Sequence, residues 1–340
     1  MPNSFPRYFS LFLVTITSLS VLIVNRGGAD FPAQAGPSFD AQIDMSQRDW
    51  IAAERPQLVL LGDSMVEENV DLPTLSKALG RTIHRISYPG AASAMWYLSI
   101  KNNIILSPHK PQALVILFRD STLTTPAYRA GGINDQAIDT LAGADEELLV
   151  QLAYISQMNA LERSARQFFP WYVYGFKFRN GVDFINRYGL PRFLPRCGKL
   201  CVDSAFLNIF SFRTMAAPAA SDPIAQSESI LYTSEALDFS AQVGDSFLPE
   251  IIRLCRANGI PLILVRGKTI SFAQLPKPYG LDNYILELKE YLTKNGVGFA
   301  DLETDSRLGV GDFIDRFHVQ PDARGKYAQM LAEALAPLLP

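Results

Sequence analysis

The chain has 340 residues, 48% of them apolar and 19% charged, so it can bury a sizeable core, and at roughly 100–200 residues per domain it has room for two domains or one enlarged one. Disorder throughout is excluded. Lys and Arg number 31 against 34 Asp and Glu, a formal net charge of −3; with no cationic excess to neutralise phosphates, nucleic acid is excluded as an expected partner.

Residues 8–24, YFSLFLVTITSLSVLIV, are uncharged and lie between Arg7 and Arg26, a run of about 17 residues at the lower limit for a membrane-spanning helix. An uncleaved anchor over 1–28 is the preferred reading. A cleaved signal peptide is the other, with Ala33-Gln34-Ala35 as its small-residue site. Either reading carries the bulk of the chain across the membrane when the N-terminus stays inside. One Arg at each end leaves only the terminal amine to set orientation. The Gly and Pro residues from Gly27 to Pro37 read as a linker, assigned to 29–55.

From Gln57 short β-type runs alternate with helical ones, the pattern of a parallel sheet covered by helices. QLVLLG (57–62) is a continuous apolar strand. A helix over 74–80, a strand over 81–90, a helix over 92–106 and an apolar strand over 111–118 follow. Near the other end come a helix closing at Gly259, a strand over 260–267, a helix over 283–296, a strand over 296–303 and a final helix over about 322–338. Between the two stretches, 121–245 has few β-branched runs and reads as an insertion into a single α/β domain spanning 56–340. Its aromatic segment RQFFPWYVYGFKFRNG (166–181) carries Arg166, Lys177 and Arg179. Docking on a membrane interface or a sugar chain is one reading; packing onto the α/β body is preferred. Three Cys exclude a disulfide scaffold and any four-Cys metal or cluster site. Cys197 and Cys201 either close a small disulfide loop or are two buried thiols, and Cys255 reads as a core residue.

Gly62-Asp63-Ser64 stands at the C-terminal edge of the first strand, where open α/β sheets bind ligands. A Ser there can present its hydroxyl at a cleft near free backbone N–H groups; the plainer reading is an N-cap Ser opening a helix. About 250 residues on, Asp315 precedes His318 by three in a loop before the final helix. A Ser nucleophile needs a base, and the base an acceptor fixing its tautomer; the plainer reading is a loop Asp near a surface His. The other histidines, His84 within a strand and His109 before one, read as structural.

Together these features resemble the SGNH (GDSL-type) esterase and acyltransferase superfamily, over 56–120 and 246–338. The resemblance implies a three-layer α/β/α fold with a central parallel, flavodoxin-like sheet. It also implies a catalytic Ser64, Asp315 and His318, with oxyanion amides from Ser64 and Gly90, the latter in Ser87-Tyr88-Pro89-Gly90-Ala91-Ala92. The family's Gly-x-Asn-Asp block after the third strand is replaced by Arg119-Asp120-Ser121. Gly132-Ile133-Asn134-Asp135 matches by letters but begins about 14 residues beyond the strand end. The third oxyanion donor is therefore Arg119 or Asn134, or is lost; Arg119 can equally bind an anionic substrate group or pair with Asp120. Arg266, ending the fourth body strand, is positioned to meet a carboxylated substrate or to form a salt bridge.

No metal or cofactor is expected: neither Gly-x-Gly-x-x-Gly nor a P-loop follows a strand. The resemblance points to an extracytoplasmic acyl enzyme, an O-acetyltransferase or esterase acting on an exported polysaccharide or cell-wall polymer through an acyl-serine. Its partners would be an acyl ester or acetylated polymer and a membrane-embedded acyl donor protein, at a bacterial periplasm or cell surface, or outside the cell after signal cleavage. The alternative is a non-catalytic polymer-binding or scaffold protein of a membrane complex.

Overall fold

The computed structural model describes residues 5–26, 31, 35–144, 146–170, 172–174, 228–270 and 278–340. The Cys197–Cys201 pair, Ala33 and Gln34 of the cleavage motif and half of the aromatic segment, Lys177 and Arg179 included, lie outside them. The chain forms two compact units, Met1–Ala35 with Met158–Gln226, and Gly36–Gln157 with Ser227–Pro340.

In the first unit Phe5–Arg26 forms a helix, α1. Its stretch Pro6–Arg26 is 21 residues long and contains an 18-residue window with a mean hydropathy of 1.9; at 1.5 Å rise per residue the stretch reaches about 32 Å. It is long and apolar enough to cross a membrane. A second helix, Ala160–Phe168, has no buried residue; Asn159 caps it, with Glu162 returning a bond to the cap amide.

The second unit carries the sheet. Its elements in chain order are α2 (Ser46–Glu54), β1 (Leu58–Gly62), α3 (Ser64–Asn69), α4 (Leu72–Leu79), β2 (Ile83–Ser87), α5 (Ser93–Ser99), β3 (Ala113–Phe118), α6 (Asp135–Leu141), α7 (Leu248–Ala257), β4 (Leu262–Arg266), α8 (Leu281–Lys294), β5 (Gly298–Asp301) and α9 (Arg324–Leu335). The strands run in the order β2-β1-β3-β4-β5, all pairs parallel, with Leu61 opposite Ile86 on one side and Ile116 on the other. β1, β3 and β4 are legible as apolar runs because both sheet faces are covered there. Val59, Leu61, Ile116 and Leu264 enter one core with α5, α7 and α8, while Leu58, Leu60, Val115 and Ile263 enter the other with α3 and α9. Strand order reverses between β2-β1 and β3-β4-β5, and ligands of such sheets bind at the carboxyl ends of the strands beside that reversal. Ser64 begins there.

Three departures from the expected elements have physical causes. Within the segment read as a linker, Ser46–Glu54 is helical: Ile51 is fully buried, and buried Asn103 accepts from the Arg48 amide and donates to the Asp44 carbonyl. The helix expected over 92–106 passes after Ser99 into a wider π-type turn over Ile100–Ile104. The stretches 121–157 and 228–245 belong to the same compact unit as the sheet, so only 158–226 of the expected insertion falls in the other unit. His84 stacks on Trp50 at 5.0 Å and meets Gln47 Oε1 at 2.9 Å, and His109 Nε2 meets the Pro56 carbonyl at 3.0 Å; both are structural. Cys255 is a buried free thiol, pushed up to about 12 by burial and so inert as a nucleophile.

Candidate active site

The nucleophile corner begins with Gly62. A Cβ there would lie 2.4 Å from Val66 Cγ2 and 3.0 Å from the Leu117 carbonyl, so only glycine lets β1 turn directly into α3 beside β3. Asp63 caps α3 with extended backbone, its carboxylate accepting from the Met65 amide at 2.9 Å. Burial pushes the Asp63 carboxyl upward against the pull of Arg119. Because Asp63 is the cap, Ser64 is not: it is the first helical residue, and its hydroxyl is left for other work. Ser64 Oγ lies 2.8 Å from His318 Nε2.

His318 sits on a loop closed by a bridge between Phe313 and Val319. Its Nδ1 is 2.8 Å from Asp315 Oδ2, while the amides of Phe317 and His318 donate to Asp315 Oδ1 at 2.8 and 2.9 Å. Burial by itself would raise the Asp315 carboxyl, but the hydrogen bonds from His318 and the two amides outweigh it and hold the group below its usual range. An ionised Asp315 keeps the proton on Nδ1, leaving Nε2 to accept from the Ser64 hydroxyl. Ser64, His318 and Asp315 thus form a continuous relay between residues about 250 apart in the chain.

Buried Asn69, at the end of α3, was not anticipated. Its Nδ2 donates to the Phe317 carbonyl at 2.8 Å and its Oδ1 accepts from the Val319 amide at 3.0 Å. The helix that carries Ser64 also clamps the peptide groups flanking His318. The only sequence signal was an Asn on the same short helix as Ser64.

The remaining expected residues are placed differently. Gly90, at φ +74, lies in the loop after β2, whose start is tied to the nucleophile corner: the Tyr88 amide donates to the Gly62 carbonyl at 3.2 Å and Ser87 Oγ to the Asp63 carbonyl at 2.9 Å. Arg119 is 6% exposed, with Nη1 and Nη2 each 2.6 Å from a Glu228 carboxylate oxygen and Nη2 also 2.6 Å from the Tyr128 hydroxyl. Its Nε is 3.8 Å from Asp63 Oδ2, and the Phe317 ring stacks 4.3 Å away. Although burial opposes the charge, Glu228 raises the Arg119 pKa further. Three of its five N–H groups are engaged in this way, and the guanidinium pairs with Glu228 rather than Asp120. Asp120 takes a costly φ of +42 and binds Arg266 Nη2 at 2.7 Å and the Tyr232 hydroxyl at 2.6 Å. Arg266 is 4% exposed and also pairs with Asp301 at 3.3 Å; it braces the sheet edge and does not meet a substrate from solvent. Asn134 ends a tight turn before α6, its Nδ2 bonding back to the Gly131 carbonyl at 3.4 Å.

Among the described residues no group of three or more His, Cys, Asp or Glu is gathered to hold a metal ion. The arrangement offers a positioned hydroxyl, an imidazole within reach of its proton and a carboxylate to orient the ring, the parts that covalent acyl transfer needs. No protein-family model and no curated protein matches the chain.

Proposed function

We propose that the chain is an SGNH-like acyl enzyme anchored by α1 with its body outside the cytoplasm, acting as an O-acetyltransferase or esterase on a polysaccharide or cell-wall polymer. The Ser64–His318–Asp315 relay, at 2.8 Å for each side-chain link, carries the reading. The flavodoxin-like strand order, with Ser64 at the reversal, supports it.

In the proposed cycle His318 Nε2 takes the Ser64 proton as Oγ attacks the ester carbonyl, and the imidazolium then protonates the departing alcohol. Water or an acceptor hydroxyl, deprotonated by His318, attacks the acyl-serine, and Ser64 leaves reprotonated. A membrane-embedded donor protein would supply the acyl group for transfer to an exported polymer. Incubating the full chain with p-nitrophenyl acetate is expected to release nitrophenol and add one acetyl group to Ser64 by mass spectrometry. Equal release by folded Ser64→Ala, or none by the parent, would overturn the catalytic reading. The pairing of Arg119 with Glu228, where the family's Asn block would stand, favours the second reading, a polymer-binding or scaffold protein. Polymer binding retained in Ser64→Ala, with no acyl transfer by the parent, would select it.

A further inference from the structure

The block that would supply a third oxyanion donor is absent after β3, yet another cation reaches the Gly90 loop. The turn 125–130 lies against that loop at two points. Tyr128 and Ala92 share a small apolar cluster with Leu231, and a Cβ placed on Gly90 would meet Arg129 Nη1 at 3.9 Å. Arg129 has a left-handed φ of +57, a conformation costly for a side chain with a Cβ. Its guanidinium stacks on the Tyr128 ring at 5.3 Å.

The hydrogen bonds of Glu228 go to Arg119 and Tyr128 rather than to Arg129. Both oxygens of Glu228 are taken at 2.6 Å by Arg119, and one of them also by Tyr128. Arg129 Nη2 stands 3.8 Å from Glu228, too far for a hydrogen bond. Its Nε is buried without a hydrogen-bond partner among the described residues, while the side chain as a whole remains 29% exposed. Arg129 thus stands beside Gly90 hydrogen-bonded to neither oxygen of Glu228, and Arg119, not Arg129, is the guanidinium nearest Asp63. The Gly90 loop and the Ser64 corner leave neighbouring strands at the same end, since Gly62 is in register with Ser87.

We infer that Arg129, beside Gly90, forms an anion pocket that binds the oxyanion of the tetrahedral intermediate and the carboxylate of the acyl product, replacing the donor lost after β3. This rests on the acyl-enzyme reading for the intermediate but not for carboxylate binding. The step makes and breaks no bond at Arg129; its N–H groups donate to an oxygen that becomes negative as Ser64 Oγ adds to the carbonyl carbon.

The test uses the full chain in detergent with acetate as the probe, titrated by NMR or calorimetry into Ser64→Ala and into Ser64→Ala with Arg129→Gly. Arg129→Gly removes the cation and relieves the left-handed backbone, so its thermal midpoint should equal or exceed the parent's; Arg129→Gln is the second variant should the glycine loosen the turn. Acetate affinity is expected to fall at least tenfold on loss of Arg129. Where the parent turns over p-nitrophenyl acetate, Arg129→Gly should lower kcat by about 10²–10³-fold with a smaller change in KM, and Arg129→Lys should restore part of it. A parent without turnover whose acetate binding still depends on Arg129 would reject the acyl-enzyme reading and keep the pocket. Equal acetate affinity with and without Arg129, or no binding in either, would overturn the inference.

Discussion

Asn69 holds His318 by both of its peptide neighbours, donating to the Phe317 carbonyl at 2.8 Å and accepting from the Val319 amide at 3.0 Å. Since Asn69 ends the helix that Ser64 begins, one short element fixes both Ser64 and the loop bearing His318. Asn69→Ala leaves two backbone groups without their partner and should cost about 1–3 kcal/mol per buried group left unsatisfied. It should also lower kcat without touching substrate. Urea denaturation gives the first quantity; the second is read from kcat against KM on an acetyl ester, with Asn69→Asp keeping the acceptor but not the donor. Full activity in Asn69→Ala would show that the bridge at Phe313–Val319 positions His318 unaided.

Asp315 makes a pH-dependent contribution whose sign follows from its bonds. Its folded-state pKa is depressed, so the stabilisation is present above the ordinary carboxylate pKa of about 3.9 and is lost as pH falls through the lower folded value. Asp315→Asn should therefore be less stable than the parent at neutral pH, and the gap should close as pH falls below about 4. With the Asp315 side chain 51% exposed, solvent screening keeps the gap small. The catalytic effect is larger in expectation: an amide favours the wrong imidazole tautomer, and the loss in kcat should reach about 10⁴-fold. Thermal midpoints across pH 3–7 and ester turnover check the two parts separately.

Glu228 and Arg119 form a buried pair beside the relay, with bonds of 2.6 Å to both carboxylate oxygens. Removing one partner leaves a charge in a low-dielectric site, so Glu228→Gln should destabilise the fold by about 3–5 kcal/mol. Replacing both, Arg119→Met with Glu228→Leu, should recover most of the loss, because apolar packing often matches a buried pair. The Phe317 ring stacks on Arg119, so Glu228→Gln should also reduce turnover more than the double variant does per unit of stability lost. Urea midpoints for the parent, Arg119→Met, Glu228→Leu and the double variant measure the coupling.

What could be read from the sequence was what is local in the chain. The strands announced themselves because both faces of β1, β3 and β4 are buried, giving unbroken runs such as LVLLG and ALVILF. Asp315 and His318 were recognisable because three residues of loop bring them together. Asn69 and Glu228 were not, because their meaning lies in partners 248 and 109 residues away, and a buried Asn or Glu looks in sequence like any surface one. Arg119 was visible at the strand edge, with an ion pair among its readings, but the partner in sequence was the adjacent Asp120 and the partner in space is Glu228. The helix Ser46–Glu54 escaped because Ile51 is its only buried residue, too little for a helical period to emerge.

Gly62 sets the approach of Ser64 to His318 through space alone. A Cβ there would lie 2.4 Å from Val66 Cγ2 and 3.0 Å from the Leu117 carbonyl; the first is a side-chain tip and the second is backbone of the neighbouring strand. Gly62→Ala should therefore destabilise by about 1–3 kcal/mol, as overpacking does in a filled core, and push α3 outward, lengthening the 2.8 Å contact between Ser64 and His318. Adding Val66→Ala removes the shorter clash but not the one with Leu117, so it should regain part of the stability and little of the turnover. Chemical denaturation together with the rate of Ser64 acetylation separates these effects. Complete recovery of both in the double variant would show that Val66, and not the β1–β3 spacing, dictates glycine at this corner.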